Sequence, residues 1–96
     1  MGQKTSVKLK SHYSISPEAV FRDVAGEEVI LDLQSGTYFG LNKTGTEIWN
    51  LIQQEKSVES IASFLGEEYG IPEKIALEDA QKLVSELLKK KLLIAA

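Results

Sequence analysis

The segment Leu31–Trp49, LDLQSGTYFGLNKTGTEIW, decides how this chain is read. It holds the end of one strand-like run, a loop, a second short run rich in aromatics and, almost without a linker, the start of a helix. Leu31 and Leu33, continuing Val29, alternate with Ile30 and Asp32, which is the period-2 signal of a half-buried strand. Gln34-Ser35-Gly36 supplies the loop, where Gly36 can take the positive φ of a type I turn followed by a bulge. In the run Thr37–Leu41, Thr37, Phe39 and Leu41 alternate with Tyr38 and Gly40. Beyond Asn42 the period changes. Thr44–Glu47 (TGTE) has the pattern of a capping box, with Asn42 as an alternative cap. Ile48, Leu51 and Ile52 then recur at helical spacing, with Trp49 on the flank.

Working outward, Ala19–Val24 and Glu28–Leu33 form two further strand-like runs around Ala25-Gly26-Glu27. Three strands joined by short loops predict an antiparallel meander. Downstream, Ser57 caps a second helix whose apolar face carries Val58, Ile61, Ala62, Leu65 and Tyr69, widened by Phe64. Gly70 stops it and Pro72 suits the first turn of a third helix, Pro72 to Lys90. That helix lines Ala76, Ala80, Leu83, Val84, Leu87 and Leu88 on one face, and Leu92-Leu93-Ile94 follow as an apolar tail. The order βββααα predicts an α+β, winged-helix-like fold: a three-stranded antiparallel meander followed by three helices, with the wing first. Residues 1–13 are polar and aperiodic and read as a flexible N-terminal arm, leaving 14–96 as one domain. Met1-Gly2 with Ser6 is only a superficial match to an N-myristoylation pattern.

Ninety-six residues, 43% hydrophobic and 26% charged, suit one globular domain. The absence of cysteine removes disulfides, thiolate metal sites and a Cys nucleophile together, and fits a cytoplasmic location. No apolar run approaches the roughly 18 residues of a membrane span. A net charge of −3 argues against a nucleic-acid footprint. His12 is the only histidine and lies in the arm, no phosphate-binding glycine motif is present, and the acidic residues are spaced as solvated helix faces. An enzyme is therefore not expected, and neither a cofactor nor a metal. Binding is the default function.

The third strand is the expected working surface. In a meander it is an edge, and TYFGL carries neither proline nor charge to blunt it, while Gly40 permits close backbone approach. Phe39 and Leu41 read first as core, and Tyr38, on the other face, as a ring suited to a partly open surface. Such an edge invites an extended peptide to add a strand, with side-chain pockets supplying specificity. The third helix is the natural wall. Beside its core face, which includes Leu83, Ile75, Asp79, Lys82 and Glu86 form a neighbouring stripe. That stripe reads either as a solvated face with an Asp79–Lys82 pair or as a groove wall where Asp79 or Lys82 fixes register. Lys89-Lys90-Lys91 reads as helix-dipole complement and solubility.

Taken together, EEVILDLQSGTYFGLNKTGTEIWNLI resembles the signature of PqqD-like proteins, the recognition elements for RiPP precursor peptides. The elements of the resemblance are Leu31 to Leu33, Ser35-Gly36, Tyr38-Phe39, Leu41-Asn42, Gly45 and Ile48-Trp49. SVESIASFLGEEYGI and LEDAQKLVSELLKKKLL are similar to the family's second and third helices, so the resemblance covers about Val20 to Ile94. Ala80 stands where the family often has Val, and Lys91 where it often has Gly. The resemblance implies binding of a precursor's leader segment, antiparallel to the third strand and against the third helix. The peptide-contacting residues would be Thr37, Tyr38, Phe39, Gly40, Leu41, Ile75, Asp79, Lys82, Leu83 and Glu86.

The implied partners are a leader peptide and a leader peptidase or peptide-modifying enzyme, with no nucleic acid and no membrane. SGTYFGLN looks more like the leader-binding proteins of lasso peptide pathways than like the pyrroloquinoline quinone pathway member. The alternative from another class is a winged-helix DNA-binding or transcription-regulating domain, disfavoured because the second helix is acidic and lacks Arg. A third reading is a structural adaptor whose strand edge pairs with itself.

Overall fold

The computed structural model describes residues 7–95. Over them the chain runs β1 (Tyr13–Ile15), β2 (Ala19–Val24), β3 (Glu27–Asp32), β4 (Tyr38–Gly40), α1 (Lys43–Gln53), α2 (Val58–Tyr69), α3 (Glu73–Lys89) and β5 (Leu93–Ala95). The expected meander is present as β2-β3-β4, antiparallel throughout, with β4 at the edge. The three helices follow it, in the winged-helix-like α+β arrangement predicted from the sequence.

β1 and β5 have no counterpart in the sequence reading. They pair antiparallel, Tyr13 against Ala95 and Ile15 against Leu93, as a separate two-stranded ribbon joining the two ends of the described chain. Three residues each are too few for a period to show, and the pairing is non-local. Part of the expected arm is thereby described. Tyr13 is buried, its hydroxyl accepts from the Lys8 N–H at 3.2 Å, and the Leu9 carbonyl accepts from the Glu59 N–H at 2.9 Å. The remainder of the arm, with the Met1-Gly2 and Ser6 pattern, lies outside the described residues.

One face assignment is reversed. On β3 the residues turned to the helices are Glu28, Ile30 and Asp32, and Leu33 is 54% exposed, although Val29, Leu31 and Leu33 form the more apolar set. The cause is cross-strand alignment. Phe21, Ile30 and Phe39 stand directly opposite one another on β2, β3 and β4, so they share a face. Ile30 is fully buried there, and the Phe21 ring meets Trp49 edge to face at 5.2 Å between centroids. The alternate row, Val20, Leu31 and Tyr38, faces outward. One aromatic–aliphatic row across three strands outweighs the count along one strand.

The helices dock on this row. Ile48, Trp49 and Ile52 of α1, Ile61 and Leu65 of α2, and Ala76, Ala80, Val84 and Leu87 of α3 close the core. Tyr69, expected on the buried stripe of α2, is exposed, because it sits in the last turn where the helix leaves the core. α1 starts two residues earlier than a TGTE box would give. Asn42 is the cap, its Oδ1 accepting from the Gly45 N–H at 2.8 Å, so Thr44 and Glu47 lie inside the helix.

The helix ends share one device. Gly70 closes α2 with φ of 66°. α1 and α3 close through non-glycine residues in the same left-handed region, Glu55 at 62° and Lys91 at 61°. Each makes a Schellman pair of hydrogen bonds: Glu55 N–H to Ile52 and Lys56 N–H to Leu51, then Lys91 N–H to Leu88 and Leu92 N–H to Leu87. The second closure aims the chain into β5.

Candidate functional site

The β4 edge is built by its register. The Asp32 N–H donates to the Thr37 carbonyl at 3.0 Å, and the Leu41 N–H donates to the Glu28 carbonyl at 2.9 Å. Antiparallel pairing alternates, so Thr37, Phe39 and Leu41 turn their backbone groups toward β3. Tyr38 and Gly40 therefore turn N–H and C=O outward, to the open edge. Apart from its chain neighbours, Gly40 has nothing within 4 Å of where a Cβ would stand, so the outer face of the sheet is open there too. The β4-facing side of β3 is tied to α1 as well. Its Glu28 N–H donates to the Thr46 hydroxyl of α1 at 2.8 Å in a buried setting, fixing the end of the edge against the helix.

Beside the edge lies a hollow of about 430 Å³. Phe39, Gly40 and Leu41 form one wall, and Asp79, Lys82, Leu83 and Glu86 of α3 form the other. Its closed end is made by Asn42, Thr44, Gly45 and Ile48 at the start of α1. A second hollow, of about 340 Å³, continues along β4 in the opposite direction, with Thr37, Tyr38 and Phe39 against Lys90 and Leu92 and the turn residues Asp32 and Ser35 at the rim. Phe39 is common to both, so the two form one trough parallel to the edge. α3 passes Asp79, Lys82, Glu86 and Lys90 in that order while β4 passes Gly40 back to Thr37. The helix therefore runs antiparallel to β4.

Of the ten residues expected to contact a peptide, nine line this trough. Leu41 is among them but is itself buried, so it forms floor rather than surface. Tyr38 is 73% exposed, with its ring on the outer face of the sheet. Ile75 is the exception: it is 48% exposed but lies one turn before Asp79, beyond the first hollow. Residues that the sequence reading assigned elsewhere also line the trough. Ile48 reads as scaffold and Lys90 as dipole complement until β4 and α3 are set side by side. The Asn42-x-x-Gly45 spacing is the one local signal for the closed end. A Cβ on Gly45 would meet Asn42 Oδ1 and Leu41 Cβ, both at 3.3 Å.

Electrostatically the wall is mixed, Asp79 and Glu86 alternating with Lys82. At the other end the Lys90 Nζ stands 5.1 Å from the centroid of the Phe39 ring. Near the closed end, burial raises the Glu28 carboxyl above its ordinary range, helped by Asp23 directly opposite on β2. Among the described residues no group of three His, Cys, Asp or Glu side chains could hold a metal ion. No described helix is long and apolar enough to cross a membrane.

The comparisons with known proteins agree with this geometry. Among curated proteins none matches the chain. A structure of TbiB1 in complex with the TbiA(beta) leader peptide is 35% identical, with a TM-score of 0.78 over 83% of this chain and 93% of that one. A lasso peptide synthetase B1 complexed with the leader peptide is 27% identical, with a TM-score of 0.81 over 88% of this chain and 99% of that one. The family model for coenzyme PQQ synthesis protein D (PqqD) matches residues 27–93, which span β3 to β5 and the whole trough. With well over half of its length so matched, the chain belongs to the PqqD family.

Proposed function

We propose that this chain is a non-catalytic recognition element for the leader segment of a ribosomally made precursor peptide. The leader adds antiparallel to β4 and packs its inward side chains into the trough against α3. It is then presented in the cytoplasm to a separate leader peptidase or modifying enzyme, in a lasso peptide pathway. The observation that carries this reading is the β4 edge, left open with outward backbone groups at Tyr38 and Gly40 and flanked by a hollow whose other wall is α3. The two structures most informative for comparison are complexes with leader peptides, which supports it. The DNA-binding alternative gains nothing from the structure: the exposed positions of α2 include Glu59, Glu67 and Glu68.

The energetics suffice. Each backbone hydrogen bond of an added strand contributes ~0.5–1.5 kcal/mol net, offset in part by ordering the leader. Two or three apolar side chains buried at ~1.5–3 kcal/mol each bring the total to about −8 kcal/mol, a micromolar dissociation constant or better. The test is titration of the purified chain with the leader peptides encoded beside its gene. Binding by one of them is expected, and no binding by any at tens of micromolar would sink the proposal.

A further inference from the structure

The two hollows of the trough differ in their charge. The first is bounded by charges of both signs, Asp79, Lys82 and Glu86. The second has only Asp32 and Lys90. Asp32 is committed to its own turn, with Oδ1 accepting from the Gln34 N–H at 3.0 Å and Oδ2 from the Ser35 hydroxyl at 2.9 Å. Lys90 is the remaining charge. Its backbone is fixed at the end of α3, with its N–H on the Glu86 carbonyl at 3.0 Å and the Schellman closure immediately after it. Only the side chain can move, and it rests on the Phe39 ring, the residue shared by both hollows. A cation on a ring at an exposed site is held weakly and is readily exchanged for a carboxylate.

The register says where that carboxylate belongs, given the strand addition proposed above, on which this inference rests. In an antiparallel pair, residues directly opposite share a face. The peptide residues opposite Phe39 and Thr37 therefore both point into the trough. β4 runs from the Lys90 hollow toward the α1 end, so an antiparallel peptide runs the other way. Its residue opposite Thr37 lies two positions C-terminal to the one opposite Phe39, about 6.8 Å further along. We infer that Lys90 is a specificity-determining residue that selects an aspartate or glutamate at the peptide position opposite Thr37. An apolar side chain takes the Phe39 ring that Lys90 vacates, and the displaced ammonium pairs with the acid two residues on. The leader is read as an apolar-x-acidic step in one direction only.

The test uses the full chain and the leader of the precursor encoded beside its gene. Glu and Lys are placed in turn at each position of the pairing segment, and binding is followed by fluorescence anisotropy at low salt. Wild type should prefer Glu to Lys about tenfold at one position, a swing from attraction to repulsion at a partly exposed pair. Lys90→Glu should invert that preference, Lys90→Gln should reduce it to within about twofold, and added salt should erode it. The position should lie two residues C-terminal to the one whose truncation to alanine ceases to matter in Phe39→Ala. Melting temperatures equal to wild type confirm that the exposed Lys90 variants fold. Intact binding with the same Glu/Lys preference in wild type and Lys90→Glu at every position overturns the role of Lys90 alone. Failure of wild type to bind any leader removes the strand-addition reading itself, and is seen before any variant is made.

Discussion

Proline at position 40 tests the strand edge without disturbing what holds it. The Gly40 N–H points away from β3, so a proline ring there removes an outward donor and leaves the β3–β4 ladder intact. Apart from its chain neighbours, no atom lies within 4 Å of the position a Cβ would take, so the Cβ of the added ring meets no other part of the fold. Folding stability should change by no more than about 1 kcal/mol, because strain at φ is offset by a stiffer unfolded chain. Binding loses a backbone hydrogen bond and leaves a leader carbonyl unpaired in the trough, about 1–3 kcal/mol, or roughly tenfold to over a hundredfold in affinity.

Two controls separate the effects. Gly40→Ala keeps the N–H and should bind within a few-fold of wild type. Phe39→Pro is a poor probe of the edge, since the Phe39 N–H faces β3 and its ring belongs to the Phe21–Ile30–Phe39 row. It should cost ~2–4 kcal/mol of stability and lose binding through unfolding. Leader titration and thermal melts of the three variants decide the matter. If Gly40→Pro melts like wild type and binds within twofold of Gly40→Ala, the leader does not pair with β4.

Three further variants probe the frame around the trough. Lys91→Gly should raise stability by about 0.5–1 kcal/mol in chemical denaturation, since Lys91 holds φ of 61° and glycine relieves the left-handed penalty at some entropic cost; leader affinity should not change. Thr46→Val strips the buried Glu28 N–H of its 2.8 Å acceptor and should cost about 1–3 kcal/mol, with Thr46→Ser close to wild type in the same thermal melts. Glu28→Gln addresses pH. A carboxyl whose folded pKa is raised contributes stability that is complete below its unfolded value of about 4.3 and is lost as pH rises through the raised value. Glu28→Gln should therefore unfold at higher urea than wild type at pH 7, with the gap closing toward pH 4; a constant gap would show that Glu28 titrates normally.

How much of this is legible in the sequence depends on the range of the interaction concerned. The Ser57 cap, the Gly70 stop and the helix faces follow from residues within a turn of one another, and apart from Tyr69 they stand as read. The meander follows from alternation and loop length. The face of β3 does not, because apolar residues occupy both parities of the run and only alignment with Phe21 and Phe39 decides between them. β1 and β5 are invisible for a stronger reason: neither has enough residues for a pattern, and each exists only because the other closes on it across the whole chain. Lys91 is the instructive intermediate. The departure from the family's glycine can be seen in the sequence, but its meaning, a left-handed helix closure carried by a lysine, needs the dihedral angle.

The reversed parity also bears on the site. Were Val29, Leu31 and Leu33 turned inward, their partner Tyr38 would face the helices, and the outward backbone groups on β4 would still belong to the even residues. The edge itself would survive, but its trough would not: Phe39, the one residue common to both hollows, would point to solvent, and Lys90 would have no ring to rest on. Strand pairing alone offers any extended peptide the same hydrogen bonds and so little specificity. Specificity has to come from the side chains beneath the added strand, and these are set by the row that begins at Trp49 and Phe21 and ends at Phe39. The segment Leu31–Trp49 thus contributes twice to the site: Tyr38 and Gly40 supply the edge that a peptide can pair with, and Phe39, Leu41 and Ile48 shape the trough that selects which peptide.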